Sequence, residues 1–202
     1  MPKEIKALVM CAPINSVDTS VPLYPSLRFS EIQACKSERV KCEKYLVWKL
    51  LEKAIETNFN LDFANLQFAK NADGKWTCSD LYFSLSHTDG AVCVAVSNKP
   101  IGVDIEIVKN IRLSLKDKIL TEREKEKMMS LPEEQKGAFL LDAWVKKESI
   151  FKMTGGEALL PTRIDTIDSV AKAESIDILG REYLIAVASK NDNIEIVYME
   201  DL

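Results

Sequence analysis

Two acidic side chains, Asp104 and Glu106, are the first candidates for chemistry in this 202-residue chain. Residues 101–107 alternate between apolar and other side chains, which is typical of a strand with one buried face. Both carboxylates then share the second face, about 6.5–7 Å apart, and Gly102 beside them leaves room for a ligand. Like charges this close repel unless a cation or water screens them, and oxygen ligands suit Mg2+. An ordinary half-exposed strand shows the same alternation, so that interpretation stays open.

A third acidic side chain, Glu148, lies on a predicted long helix. It shares a helix face with three apolar side chains at spacings of three, four and three residues: Leu141, Trp144 and Phe151. Because an unpaired buried charge is costly, Glu148 needs a partner. Lys152 follows one helical turn later and could reach Glu148 or a nearby phosphate. The alternative is a glutamate at the edge of the apolar stripe that pairs with Lys152 and contacts water.

Ser86 and His87 form a polar pair where a predicted strand enters its turn. His87 is the only histidine of the chain. A hydroxyl and an imidazole at this place could hold phosphate oxygens. A serine-hydrolase site is a poor explanation, because no nucleophile-elbow sequence surrounds the serines. A purely structural role for a lone histidine in a strand remains the alternative.

A basic run opens the first predicted helix, and it contains Lys36, Arg39, Lys41 and Lys44. Lys75 lies apart from it, in a predicted turn. A solvated helix face is the ordinary explanation for such a run. Since the chain has neither a P-loop nor a G-x-G-x-x-G sequence, a nucleotide would have to be held by side chains such as these.

The elements that must position these residues fall into two similar halves, residues 1–99 and 100–202. For the first part of the chain we predict a strand at 5–11, a helix over about 30–57 and an antiparallel meander of strands at 81–87, 91–97 and 101–108. For the rest we predict helices opened by capping boxes at Thr121 and Ser130, a helix end at Gly155, and strands at 171–178, 183–189 and 194–199. The order predicts an α+β fold in which each half is a small antiparallel sheet packed with a long helix.

The composition narrows the class of protein. The apolar fraction is 47% and the net charge is −4, so we expect a globular protein that does not bind nucleic acid in general. No apolar run has the length of a membrane helix and no signal peptide is visible, so we expect a cytoplasmic protein. The five cysteines are odd in number and scattered, which favours free thiols over disulfides or a zinc site.

Three motifs in this order resemble the 4′-phosphopantetheinyl transferase superfamily. The sequence reads FSLSH at residues 83–87, IGVDIE at 101–106 and WVKKESIFK at 144–152. The last one matches the signature W-x-x-K-E-[SA]-x-x-K. The chain length, with both halves in one chain, is similar to the Sfp type. The resemblance implies a two-half fold and transfer of 4′-phosphopantetheine from coenzyme A to a serine of an apo carrier protein, with release of 3′,5′-ADP.

The resemblance also implies roles for the acidic residues and for Lys152. The residues that match the family's Mg2+ ligands are Asp104, Glu106 and Glu148. Glu148 also matches the proposed general base for the carrier serine. Lys152 matches the lysine that contacts the transferred phosphate.

The resemblance further implies how coenzyme A is held. Ser86 and His87 match the pair that touches its phosphates, and Lys75 matches the lysine of a G-K-P motif, although Trp76 stands here in place of the proline. Lys36 and Lys41 fall near the basic residues that hold the 3′-phosphate. Because one chain supplies both halves, we expect a monomer. Two other functions remain open: a Mg2+-dependent pyrophosphohydrolase, and a non-catalytic paralogue that binds coenzyme A or a carrier.

Overall fold

The computed structural model describes residues 7–191 and 193–200, so Ile5 and Lys6 of the first predicted strand lie outside the described residues. The strands in these ranges are β1 (Ala7–Pro13), β2 (Phe68–Lys70), β3 (Trp76–Cys78), β4 (Tyr82–Thr88), β5 (Ala91–Ser97), β6 (Ile101–Ile107), β7 (Ala171–Ile178), β8 (Arg181–Ser189) and β9 (Ile194–Tyr198). The α-helices are α1 (Ser26–Gln33), α2 (Glu38–Phe59), α3 (Lys116–Ile119), α4 (Glu122–Met129) and α5 (Glu133–Thr154). The predicted α+β class is confirmed.

Two sheets pack face to face between the two long helices. The first sheet has the strand order β4-β5-β1-β9, and the second has the order β6-β8-β7. Alternate side chains of β1 divide between the layers: Leu8 and Met10 pack in the core that α2 completes, whereas Val9 and Cys11 pack against the second sheet. The outer face of the second sheet packs on α5 through Ala186, Leu141 and Val145. The layers therefore run α2, first sheet, second sheet, α5.

The strand pairing differs from the sequence prediction at two places. The predicted meander is wrong, because β6 leaves β5 and pairs with β8 in the second sheet. It does so because its apolar side chains Ile101, Val103 and Ile105 pack into the core between the sheets rather than continuing the first sheet. Strand β9 returns to the first sheet and pairs in parallel with β1. The division at residue 100 stays a prediction, since the second part of the chain also completes the first sheet.

The observed helix boundaries show which local sequence signals predict a helix start or end correctly. The capping box at Thr121 is confirmed, with reciprocal hydrogen bonds between Thr121 and Glu124. The capping box at Ser130 is wrong: its hydroxyl donates to the carbonyl of Lys127 at the end of α4, and α5 begins after Pro132. The predicted end of α5 is confirmed, because Gly155 follows with φ 76°. The predicted 30–57 helix is two helices, α1 and α2.

Glycine at position 102 lets α5 lie directly on β6. A Cβ atom there would stand 1.9 Å from the carbonyl oxygen of Ser149 and 2.5 Å from the backbone nitrogen of Met153. Both contacts are to helix backbone, which cannot swing aside as a side chain can. This close approach sets the distance between the strand and the helix that carry the acidic residues. None of the helices in the described ranges combines the length and the apolar character needed to cross a bilayer.

We expect Gly102→Ala to lower the free energy of unfolding by about 3 kcal/mol or more, because α5 must move off the strand. The matched control is Gly137→Ala in α5, where an added Cβ meets no atom within 4 Å. That change should raise stability by about 0.5–1 kcal/mol through helix propensity. Urea unfolding of both variants measures the difference. Equal effects would contradict the close contact between β6 and α5.

Candidate functional site

Asp104 and Glu106 project from β6 toward α5. Asp104 is 5% exposed, and its Oδ1 accepts hydrogen bonds from Ser86 Oγ at 2.8 Å and from Lys152 Nζ at 2.7 Å. Its Oδ2 is buried and has no hydrogen-bond partner among the described protein groups. A buried carboxylate oxygen without a donor is costly, so this atom is suited to a cation or another ligand.

Glu148 reaches the same place from α5, which confirms that the helix faces β6. Its carboxyl group is half-buried. Burial raises the pKa of Glu148, and the neighbouring negative charges of Asp104 and Glu106 raise it further, while Lys152 acts in the opposite direction. Glu148 is thus close enough to Asp104 and Glu106 to be repelled by their charges, and a cation would relieve this repulsion.

The described residues do not form a ready-made metal site. In the ranges 7–191 and 193–200, no group of three or more His, Cys, Asp and Glu side chains is arranged so that it could hold a metal ion. The ammonium group of Lys152 supplies the positive charge next to Asp104. The predicted ligand set of Asp104, Glu106 and Glu148 therefore stays a prediction, although the chemistry of these oxygens and the unpartnered Oδ2 fit a hard cation.

Ser86 is brought to the site by β4, but its hydroxyl group is already fully used. It donates to Asp104 and accepts from the backbone nitrogen of Ile105 at 3.3 Å and from Lys152 Nζ at 3.0 Å. A hydroxyl group has one hydrogen to donate and two lone pairs. Its contacts are therefore to the acidic site rather than to open solvent, which sequence reasoning did not predict.

His87 lies on the opposite face of β4, toward α2. Its Nδ1 is 3.7 Å from Oε2 of Glu43, and its side chain is 45% exposed. Partial burial lowers the pKa of His87; the charge of Glu43 raises it, and those of Lys152 and Lys44 lower it. The charge of Asp104 also raises it, so the imidazole is influenced by two acidic and two basic side chains and keeps an open face.

Lys75 links the hairpin β2–β3 to the end of α5. Its Nζ donates to the backbone carbonyl of Lys152 at 2.6 Å, and burial together with the charge of Lys152 lowers its pKa. Trp76, which stands where the G-K-P motif has proline, is 7% exposed and packs its ring against Trp48. The departure from the motif thus has a structural reason, because Trp76 fills the core beneath the hairpin.

The basic run is divided at the start of α2, because Lys36 precedes the helix whereas Lys41 and Lys44 lie on it. Lys36 is exposed, and Lys41 pairs with Glu38 at 2.8 Å. Lys44, by contrast, is close enough to lower the pKa of His87. Sequence reasoning noted Lys44 within the basic run but did not assign it to the site. It missed Glu43 altogether, for which the only signal was its helical spacing of four from Arg39, its ion-pair partner at 2.8 Å.

The lysine of the W-x-x-K-E signature, Lys147, points away from the acidic site. It is fully buried and pairs with the fully buried Glu124 at 2.6 Å. Its Nζ also donates to the carbonyls of Pro161 and Ile164. Burial alone would raise the pKa of Glu124, but hydrogen bonds from Lys147, Thr166 and Thr121 outweigh it and lower that pKa. Lys147 thus ties α5 to α4 and to the loop after α5.

A groove of about 460 Å3 opens beside Glu106. Its walls are largely apolar and come from the segment after β6, from α3, from α5 and from the loop after α5: Ile111, Leu115, Ile119, Leu141, Trp144 and Pro161. Lys109 and Lys118 add positive charge to its lining. Among the acidic residues of the site, Glu106 lines the groove.

His87 offers a direct test of the charges around the site. We expect its pKa to lie below 6.5, to fall further in Glu43→Gln, which removes a negative charge, and to rise in Lys44→Met, which removes a positive one. As the only histidine, it gives imidazole signals that an NMR titration assigns without ambiguity. Lys49→Met, on the same helix but paired with Glu52, should leave the pKa unchanged. A wild-type pKa above 6.5, or shifts of the opposite sign, would contradict this arrangement.

Comparison with known proteins identifies similar sequences. Residues 100–197 match the family model of the 4′-phosphopantetheinyl transferase superfamily. Over 120 residues the chain is 30% identical to 4′-phosphopantetheinyl transferase gsp of Aneurinibacillus migulanus, covering 59% of this chain and 51% of that protein. Over 115 residues it is 28% identical to 4′-phosphopantetheinyl transferase Sfp of Bacillus subtilis (strain 168), covering 55% and 51%.

A third relative is 4′-phosphopantetheinyl transferase HetI of a Nostoc species, 34% identical over 103 residues, which cover 50% of this chain and 38% of that protein. The chain thus spans about half the length of the first relatives that it matches. The matched segment contains β6 and α5 and therefore all three acidic residues of the site. Through residues 100–197, this chain is similar to the 4′-phosphopantetheinyl transferase superfamily.

Proposed function

We propose that this protein transfers 4′-phosphopantetheine from coenzyme A to a serine of an apo carrier protein, with release of 3′,5′-ADP. The observation that carries the proposal is the convergence of three carboxylates and Lys152 between β6 and α5. The names of the relatives support the same reaction. Phosphoryl transfer depends mainly on positioning and on neutralisation of charge, and this set of side chains can supply both.

We further propose that Asp104, Glu106 and Glu148 hold a Mg2+ ion. The unpartnered Oδ2 of Asp104 and the mutual repulsion of the carboxylates support this ligand set. When bound, the cation would neutralise charge on the coenzyme A pyrophosphate. Glu148 is then also the carboxylate that accepts the proton of the carrier serine, directly or through one water molecule.

The basic residues would hold the remaining negative charge of coenzyme A. Lys152 and His87 are assigned to the pyrophosphate, and Lys75, at the end of its hairpin, lies next to Lys152. Lys36 and Lys41 remain candidates for the 3′-phosphate. Lys44 joins them, because its charge already acts on His87.

We propose that the carrier approaches along the groove beside Glu106. The apolar lining and the two lysines suit a helical domain with an acidic surface. Because β4 and β6 of one chain both contribute to the site, we propose a monomer. Five free cysteines support a reducing compartment, and thus the cytoplasm.

Transfer is tested by incubating the protein with coenzyme A, Mg2+ and a panel of apo carriers and reading the intact carrier masses. We expect one phosphopantetheine to be added per carrier serine. Asp104→Ala and Glu148→Ala should each reduce the rate by orders of magnitude, because the charge of the reacting phosphates is then no longer neutralised.

Glu134→Ala is the matched control, since it removes an exposed carboxylate from the same helix. It should transfer at the wild-type rate and unfold at the same urea concentration as the site variants. Near-wild-type transfer by Asp104→Ala or Glu148→Ala would contradict the assignment. Small products without carrier modification would instead indicate a pyrophosphohydrolase, and coenzyme A binding without either product would indicate a non-catalytic paralogue.

A further inference from the structure

Strand β4 carries a hydroxyl group at every second residue, and these side chains face β6 rather than a strand of their own sheet. They are Ser84, Ser86 and Thr88. Ser84 Oγ accepts from the backbone nitrogen of Val103 at 3.0 Å, and Ser86 Oγ accepts from that of Ile105 at 3.3 Å. Because β6 is an edge strand of the second sheet, these hydroxyl groups satisfy N–H groups that no strand pairs with.

The same row of hydroxyl groups also reaches the acidic side chains of β6. Ser86 Oγ donates to Asp104 Oδ1 at 2.8 Å, and Thr88 Oγ1 donates to Glu106 Oε2 at 3.0 Å. The spacing matches, because donors two residues apart on one strand meet carboxylates two residues apart on the other. One oxygen of each carboxylate is therefore held by a hydroxyl group of the first sheet, while Asp104 Oδ2 keeps no partner among the described groups.

We propose that Ser86 and Thr88 are positioning residues that orient Asp104 and Glu106 toward a divalent cation, and that Ser86 does not act as a direct ligand of coenzyme A. This inference rests on the proposed function. Ser86 has no hydrogen-bonding capacity left for a phosphate, because its donor and both lone pairs are used within the protein. Thr88 fixes the rotation of the Glu106 carboxylate, as groups hydrogen-bonded to metal ligands generally do.

The test measures Mn2+ binding in the absence of coenzyme A, by electron paramagnetic resonance of the free ion. We expect Ser86→Ala and Thr88→Val each to weaken Mn2+ affinity by about tenfold or more, since loss of such positioning groups typically costs about 10–100-fold. Thr88→Ser, which keeps the hydroxyl group, should restore the affinity. Transfer assays on the same variants should show a lower kcat, with the KM for coenzyme A changed much less.

Ser84→Ala is the matched control, because it removes a hydroxyl group of the same row that contacts only backbone. It should leave Mn2+ affinity intact, and urea unfolding checks that each variant is folded. Unchanged Mn2+ affinity in both Ser86→Ala and Thr88→Val, or a raised KM for coenzyme A as the main effect of Ser86→Ala, would overturn the inference while transfer by the wild type persists. A wild-type protein that neither binds Mn2+ nor modifies a carrier would overturn the proposed function as well.

Discussion

The contact between β4 and β6 joins two strands of different sheets through side chains, and the site depends on it. Hydroxyl groups of β4 take the place that backbone carbonyls have in an ordinary ladder, and they bind both the N–H groups and the carboxylates of β6. The turn after β4 extends the contact, since Asp89 pairs with Arg181 at 2.7 Å and its carbonyl accepts from the hydroxyl group of Tyr183 at 3.0 Å. The register between β4 and β6 and the geometry of the acidic site are thus set together.

The long helix α5 is held to this frame at two places. At Gly102 its backbone lies directly on β6, which leaves space for Glu148 and Lys152 beside Asp104. On another side, Lys147 is buried against Glu124 and the loop after the helix. Leaving Glu124 buried without its partner would cost several kcal/mol, so the pair limits rotation of α5 about its axis. Adjacent residues of one motif therefore have separate tasks: Lys147 anchors the helix and Glu148 faces the site.

The sequence was informative where a local pattern has one physical meaning. Strand alternation in residues 101–107 placed Asp104 and Glu106 on one face, and the capping box at Thr121 identified a helix start. It could not show that β6 leaves β5, because an apolar face packs equally well within a meander or against a second sheet. The parallel pairing of β9 with β1 could not be predicted either, because the two strands are far apart in the chain and no local pattern links them.

The sequence could predict which residues belong to the site, but not which side chains each of them contacts. Ser86 and His87 are adjacent, but alternation along β4 sends one to Asp104 and the other toward Glu43. Which lysine of the basic run (Lys36, Lys41 or Lys44) lies near His87 depends on where α2 crosses the first sheet. No local sequence pattern predicts that crossing. The role of Thr88 follows from the register between β4 and β6, which is a tertiary property.

A crystal structure of the protein with coenzyme A and Mg2+ is the most direct measurement of the central claim, that the acidic site between β4, β6 and α5 is the site of transfer. We expect the pyrophosphate between β4 and α5, in contact with His87 and Lys152, and a cation bound to Asp104 Oδ2. Ser86 should keep its hydrogen bond to Asp104. Coenzyme A bound outside this site, or a cation remote from the three carboxylates, would contradict the account.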